Sequence, residues 1–257
     1  MSYSDVLVEN SKGGFSYLTG IAPYSCGIAT SPTHRLIRVV LARPLPWRAG
    51  IEGALQLLER RQCPPESLAG VELRSPMVRT MAEFGEFNDD YIQTMRALGV
   101  IGDGPNPVAR TNVVPVRPIA NVTVLHAVTI SVPANGDAHR PSFVVAGAGE
   151  LREARLDESA IVRCGDSSPT ALAEKARFVL GVMQDRITGL GAAWSHVTCA
   201  SVYTRHAMGV VIDQVVRAAT GDRFGVTWYD AAPPVMDIEF EMDARGGTDE
   251  VVTDLAD

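Results

Sequence analysis

Two arginines and a run of alternating acidic residues are the parts of this sequence best suited to chemistry. Arg110 and Arg223 each begin the pattern Arg-x-x-Val at the start of an apolar run. An arginine can hold a carboxylate through two parallel hydrogen bonds. Glu239 and Glu241 lie in Val235–Asp243, where acidic and apolar residues alternate. A carboxyl group whose pKa is raised by burial can transfer protons, so these residues indicate chemistry on a small organic acid.

Each of these residues also has a purely structural explanation, which stays open at this point. Alternating acidic residues are typical of the solvated face of an antiparallel sheet. An arginine at the start of a strand often forms only a surface ion pair. His126 lies among apolar residues of a predicted strand, which fits either a buried histidine bonded to the backbone or a catalytic group.

Composition excludes several classes of protein. The chain has 257 residues, of which 46% are hydrophobic and 21% charged, as in an ordinary globular protein. A net charge of −7 provides no basic surface for nucleic acid. No apolar run reaches the roughly 18–20 residues that cross a bilayer. Four scattered cysteines without a Cys-x-x-Cys pair predict a reduced, cytoplasmic protein. The histidines lack ligand spacing and no nucleotide-binding loop occurs, so neither a metal nor a cofactor is predicted.

The order of predicted elements repeats after about half of the chain. Each half is predicted to run strand, helix, strand, helix, strand, strand, beginning at Phe15–Ile21 in the first half and at Phe143–Gly149 in the second. This order predicts an α+β protein with helices on one face of each sheet. We predict domains at residues 1–132 and 142–244, joined by the linker Pro133–Pro141. Residues 245–257 are acidic and contain glycine, which predicts a disordered tail.

In order and size, both halves resemble the reactive-intermediate deaminase (YjgF/RidA) superfamily, which has a chorismate-mutase-like fold. The first half carries an acidic-aromatic helix with an Asn and a Tyr, and then a Pro-x-x-Arg-x-x-Val strand entry. The second half repeats Arg-x-x-Val and ends in a strand with acidic positions. The segments that carry this resemblance are Glu83–Tyr91, Pro107–Val113, Arg223–Val226 and Pro234–Met242.

The resemblance implies a hydrolytic deaminase that acts on the enamine or imine form of a small carboxylic acid. In the superfamily an arginine holds the carboxylate, a glutamate near the end of the last strand activates water, and polar groups complete the pocket. The implied catalytic residues are Arg110, Arg223 and Glu239. The implied substrate-binding residues are Asn88, Thr19 and Tyr91, and the positions of His126 and Glu241 in their predicted strands add these two to the predicted substrate-binding residues.

Neither half keeps the full set of residues. In the first half the glutamate position falls on or near Leu125, and in the second half the hydroxyl position is Ala146. Either one site is assembled from both halves, or one or both halves have lost the chemistry. A chorismatase-like enzyme that releases pyruvate and a non-catalytic acid-binding protein therefore remain alternatives.

Assembly is also predicted. A sheet with helices on one face leaves its other face in need of a partner. The resemblance implies that such faces meet in trimers, so a homotrimer is the simplest expectation.

Overall fold

The computed structural model describes residues 6–134, 142–152, 157–221 and 225–255, without the side chains of residues 212–214. The strands are β1 (Leu7–Asn10), β2 (Phe15–Leu18), β3 (Gly27–Thr30), β4 (His34–Pro46), β5 (Leu68–Arg74), β6 (Ala109–Pro115), β7 (Val124–Pro133), β8 (Phe143–Gly149), β9 (Cys199–Thr204), β10 (Val226–Ala232), β11 (Glu241–Gly246) and β12 (Asp249–Thr253). The helices are α1 (Trp47–Arg60), α2 (Met81–Ala97), α3 (Pro169–Gly189) and α4, which comprises Gly209–Val211, the π-helical Ile212–Arg217 and Ala218–Thr220.

The two halves share one topology. The first runs β4-α1-β5-α2-β6-β7 and the second β8-α3-β9-α4-β10-β11. Their sheets have equivalent strand orders, β6-β5-β7-β4 and β10-β9-β11-β8. The predicted α+β fold of two tandem β-α-β-α-β-β units is therefore confirmed. Strands β6 and β10 pair antiparallel at Val114 and Ala232, which joins both sheets into one of twelve strands.

The first strand of the first half is β4, so the prediction of Phe15–Ile21 for that role is wrong. Strand β2 instead belongs to the antiparallel meander β1-β2-β3, and β3 pairs with β8 of the second half. Residues 7–30 thus extend the sheet of the second half, although the predicted boundaries placed them in the first domain. Arginines at positions 35, 38 and 43 give β4 a polar pattern, which hides it from a search for apolar strands.

The prediction of a disordered tail is also wrong for residues 245–255. Strand β12 pairs in parallel with β4 at the edge of the sheet of the first half. Arg38 binds Glu250 at 2.6 Å and Arg43 binds Asp254 at 2.8 Å. Leu255 is buried in the core beneath α1. The acidic residues that suggested disorder are ordered by arginines more than 200 positions away in the sequence.

Helices cover one face of each sheet, and the opposite faces of the two sheets meet. Ser168 caps α3 by accepting a hydrogen bond from the Ala171 amide at 3.3 Å, as predicted. Between the sheets, Thr111 of β6 donates to Asp243 of β11 at 3.0 Å. Part of each helix-free face is therefore covered within a single chain. The homotrimer stays a prediction.

Candidate active site

Arg110 is a buried cation with an unused donor. It lies on β6 and is 2% exposed. Its Nη2 donates to the side-chain oxygen of Asn88 at 2.6 Å, while its Nη1 has no hydrogen-bond partner. Within the described residues it makes no ion pair, and burial lowers the pKa of its guanidinium. A buried cation without a counter-ion is costly, so this guanidinium is suited to receive an anion.

Four aromatic rings surround the Arg110 guanidinium. Its Cζ lies 4.7 Å from the ring centroids of Tyr24 and Tyr91 and 5.7 Å from those of Phe84 and Phe87. Residues 84, 87, 88 and 91 occupy positions i, i+3, i+4 and i+7 of α2, so helix geometry places them on one face. The π faces of the rings stabilise the cation and exclude water from it.

Glu241 is a buried carboxyl group of the second half whose charge interacts with that of Arg110. Burial, and then the neighbouring charge of Asp243, raises the pKa of Glu241 to about 8, although Arg110 acts in the opposite direction. In the described part of the chain no hydrogen bond reaches its carboxyl group. A side chain at Gly147 would collide with the Glu241 carboxyl oxygen. The glycine therefore leaves room for the Glu241 carboxyl group. Because the pKa of Glu241 is raised to about 8, this group is mostly protonated at neutral pH.

Asp243, two positions after Glu241 on β11, is hydrogen-bonded to the opposite sheet. Its Oδ2 accepts hydrogen bonds from Thr111 at 3.0 Å and from the Tyr203 hydroxyl at 2.9 Å, while its Oδ1 has no partner. Asp243 and Glu241 are both buried. The interpretation of these two residues as part of a solvated sheet face is therefore wrong, because the sheet of the first half covers that face.

A fully buried ion pair holds the segment that leads into β11. Lys175 Nζ lies 2.9 Å from Glu150 Oε1, and both side chains are 0% exposed. The same Glu150 carboxylate accepts the backbone N–H groups of Glu239 at 2.7 Å and of Phe240 at 3.0 Å. Glu150 and Lys175 thereby position Glu241.

The structure gathers four of the predicted site residues and separates the others. Arg110, Asn88 and Tyr91 of the first half lie together, and Glu241 of the second half interacts electrostatically with Arg110. Glu239 points elsewhere: its Oε2 lies 2.7 Å from His206 Nε2 and 3.6 Å from Arg205 Nε.

The remaining predicted site residues lie away from Arg110 or outside the described residues. Thr19 accepts a hydrogen bond from the Val6 amide at 3.2 Å, after a strand that is not equivalent to β8. His126 lies near Arg74 and Glu72, and burial followed by the charge of Arg74 lowers the pKa of His126 to about 4. Arg223 lies outside the described residues.

Sequence reasoning missed three parts of this site. Tyr24 comes from the loop between β2 and β3, Thr111 directly follows Arg110, and Gly147 lies on β8. A glycine inside a strand signals a close approach by another group, so Gly147 carried a usable signal. Nothing local marks Tyr24, whose position depends on the pairing of β3 with the second half.

Residues 7–251 match a family model described as 2-aminomuconate deaminase CnbZ. The chain belongs to the 2-aminomuconate deaminase CnbZ family. A 2-amino-5-chloromuconate deaminase from Comamonas testosteroni is 35% identical over 246 residues, which cover 94% of this chain and 97% of that protein. Membership of the CnbZ family supports the prediction of a deaminase, an enzyme that acts on C–N bonds.

A solved chorismatase shares the fold of this CnbZ family member. Its structure aligns with a TM-score of 0.52 and 14% identity, covering 93% of this chain and 78% of the chorismatase chain. At this level of identity the likeness concerns architecture alone. No helix among the described residues is long and apolar enough to span a membrane. Among the same residues, no three His, Cys, Asp or Glu side chains come together as metal ligands.

Proposed function

We propose that this protein hydrolyses the enamine of a 2-aminomuconate-type acid, releasing ammonia and leaving a 2-oxo acid. The observation that carries the proposal is the pairing of Arg110, a buried cation with an unused donor, with Glu241, a buried carboxyl group of raised pKa. The first can hold a carboxylate and the second can deliver a proton. The name of the relative from Comamonas testosteroni, a 2-amino-5-chloromuconate deaminase, supports this substrate class.

The proposed reaction uses Glu241 first as an acid and then as a base. Arg110 Nη1 binds the carboxylate beside the amino-bearing carbon. Glu241 gives its proton to the adjacent carbon of the enamine, which converts the C–N bond into an iminium. The Glu241 carboxylate then takes a proton from a water molecule that attacks the iminium carbon. Glu241 transfers that proton to nitrogen, and ammonia leaves as the carbinol hydroxyl becomes the carbonyl and returns its proton to Glu241. One enamine and one water thus yield one 2-oxo acid and one ammonia, and Glu241 is protonated again.

Asn88 and the aromatic rings have supporting roles in this proposal. The Asn88 oxygen accepts a hydrogen bond from Nη2 of Arg110 and fixes the guanidinium, while Nη1 keeps no partner of its own. Tyr24 and Tyr91 flank the guanidinium and keep bulk water from competing for it. A planar, conjugated acid suits a guanidinium that is surrounded by aromatic rings.

Purified protein mixed with 2-aminomuconate tests the proposal. We expect one ammonia per molecule of substrate and loss of the absorbance of the conjugated enamine. Chorismate, assayed in parallel for pyruvate, tests the chorismatase alternative. Thermal stabilisation by 2-aminomuconate with no ammonia release would contradict the proposed reaction and support a binding protein.

The pH dependence of turnover provides a second test. Because Glu241 must be protonated in the free enzyme, we expect kcat/KM to be level at neutral pH and to fall as pH rises through about 8. In Asp243→Asn this fall should move to lower pH, because the Asp243 charge helps to raise the pKa of Glu241.

Asp237→Asn is the matched control for Asp243→Asn. Asp237 is exposed and has a φ of 66°, a conformation that Asn tolerates well. Its profile should match that of the unmodified enzyme. An unchanged profile in Asp243→Asn would show that Asp243 does not tune the catalytic group.

A further inference from the structure

Arg79 is a second arginine in the same region whose charge lacks a counter-ion. Its Nη1 donates to the Ser75 hydroxyl at 2.9 Å and its Nη2 to the Thr123 hydroxyl at 3.0 Å. Both partners are neutral, and among the described residues Arg79 makes no ion pair. Burial lowers the pKa of Arg79, and the charge of Glu83 only partly opposes this effect. The Glu83 carboxylate is already bonded to the backbone and hydroxyl of Thr80 at the start of α2.

Arg79 and Arg110 share an aromatic neighbour. The Phe87 ring centroid lies 4.8 Å from Arg79 Cζ and 5.7 Å from Arg110 Cζ. The two guanidinium carbons are therefore at most about 10.5 Å apart. The two positive charges also repel each other, and the charge of Arg79 lowers the pKa of Arg110. Two like charges in a partly buried region favour a ligand that neutralises both.

The backbone places Arg79 at the junction of the two halves. The Arg79 amide donates to the Pro234 carbonyl at 2.9 Å, and the Met236 amide donates to the Arg79 carbonyl at 2.9 Å. The segment that contains Pro234 and Met236 continues into β11 and Glu241. Arg79 thus lies against the segment that leads to Glu241 and within electrostatic reach of Arg110, although it comes from the turn before α2.

We propose that Arg79 is a specificity-determining residue that binds the second carboxylate of a six-carbon dicarboxylic substrate whose first carboxylate is bound by Arg110. This assignment rests on the proposed function, because it assumes that the substrate is a muconate-type acid. Five carbon–carbon bonds of about 1.5 Å place the carboxyl carbons of an extended six-carbon diacid roughly 6 Å apart. The limit that Phe87 sets on the separation of the two guanidinium carbons admits such a diacid when it lies alongside both arginines.

Two stable probes separate the contribution of each arginine. Muconate has two carboxylates and sorbate has one on the same dienoic six-carbon chain. By calorimetry, the unmodified protein should bind muconate at least about tenfold more tightly than sorbate, as expected for one additional charged hydrogen-bonding pair. Arg79→Gln should abolish this preference by weakening muconate binding about tenfold, with little effect on sorbate.

Glutamine is chosen because its amide can still donate to Ser75 or Thr123, which protects the local fold. Arg79→Lys, which keeps the charge but loses the planar fork, should retain part of the preference. Arg110→Gln should weaken the binding of both probes. Arg48→Gln is the matched control, because Arg48 also stacks on an aromatic ring, that of Trp47 at 4.4 Å, but is half-exposed and paired with Asp90. Its affinities should not change.

Equal affinity of the unmodified protein for the two probes would overturn the assignment, and so would equal weakening of both probes by Arg79→Gln. These outcomes are separate from failure of the proposed function. Ammonia release from 2-aminomuconate with no effect of Arg79→Gln on muconate binding would support the deaminase function and contradict this subsite. An Arg79-dependent preference for muconate without ammonia release would support the subsite and contradict the proposed reaction.

Discussion

Replacing Glu241 by glutamine should lower kcat for ammonia release by about 10²–10⁴-fold, the usual contribution of a positioned acid or base. Glutamine keeps the size of the side chain but cannot donate a proton to carbon or accept one from water. Because the carboxyl group of Glu241 makes no hydrogen bond among the described residues, its amide replacement should leave the fold intact. Steady-state kinetics with 2-aminomuconate measure the effect, and the midpoint of thermal unfolding checks the fold.

Glu239→Gln provides a matched control two positions earlier. Glu239 is partly exposed and paired with His206 and Arg205, outside the surroundings of Arg110. Its replacement should change kcat by less than about threefold. The resemblance alone assigned the catalytic role to Glu239. A large loss in Glu239→Gln with near-normal activity in Glu241→Gln would restore that assignment and contradict the site described above.

Replacing Lys175 by methionine should lower the free energy of unfolding by about 3–5 kcal/mol. Methionine fills the space of the lysine but leaves the Glu150 carboxylate buried without its cation. That carboxylate also accepts two backbone N–H groups, so it cannot turn toward solvent without releasing the segment before β11. Urea unfolding followed by circular dichroism measures the change.

An exposed ion pair provides the comparison for Lys175. Lys12 binds Glu66 at 2.9 Å with a side chain that is 76% exposed. Lys12→Met should change the stability by no more than about 1 kcal/mol. The double replacement Glu150→Gln with Lys175→Met removes both charges and should recover part of the loss. Equal effects of Lys175→Met and Lys12→Met would show that the buried pair does not anchor the loop that leads to Glu241.

The site proposed above would explain the incomplete sets found in each half. The first half supplies Arg110 and Asn88, and the second supplies Glu241. Leu125, which falls near the glutamate position of the first half, is fully buried in the hydrophobic core under α1 and α2. It provides no acid–base group. Of the two possibilities that the sequence left open, one shared site and loss of chemistry, these positions favour one site assembled from both halves.

The sequence by itself determined the elements whose signals are local. The apolar stripes of α1, α2 and α3, the cap at Ser168 and the repeated strand–helix order all depend on neighbouring residues. The face of α2 that carries Phe84, Asn88 and Tyr91 follows from helical periodicity alone. Arg110 was identified from its strand-entry motif, although the motif does not indicate that the arginine is buried.

Tertiary structure decided which residues meet and which are removed from water. Alternation in Val235–Asp243 predicted one continuous strand, but β11 begins at Glu241, and the backbone before it is held by Glu150. Glu241 and Asp243 are buried because the opposite sheet covers them, and β12 is ordered because β4 supplies arginines. These contacts join residues far apart in the chain. Since burial sets the pKa of a carboxyl group and no local pattern encodes it, the choice between Glu239 and Glu241 required the folded chain.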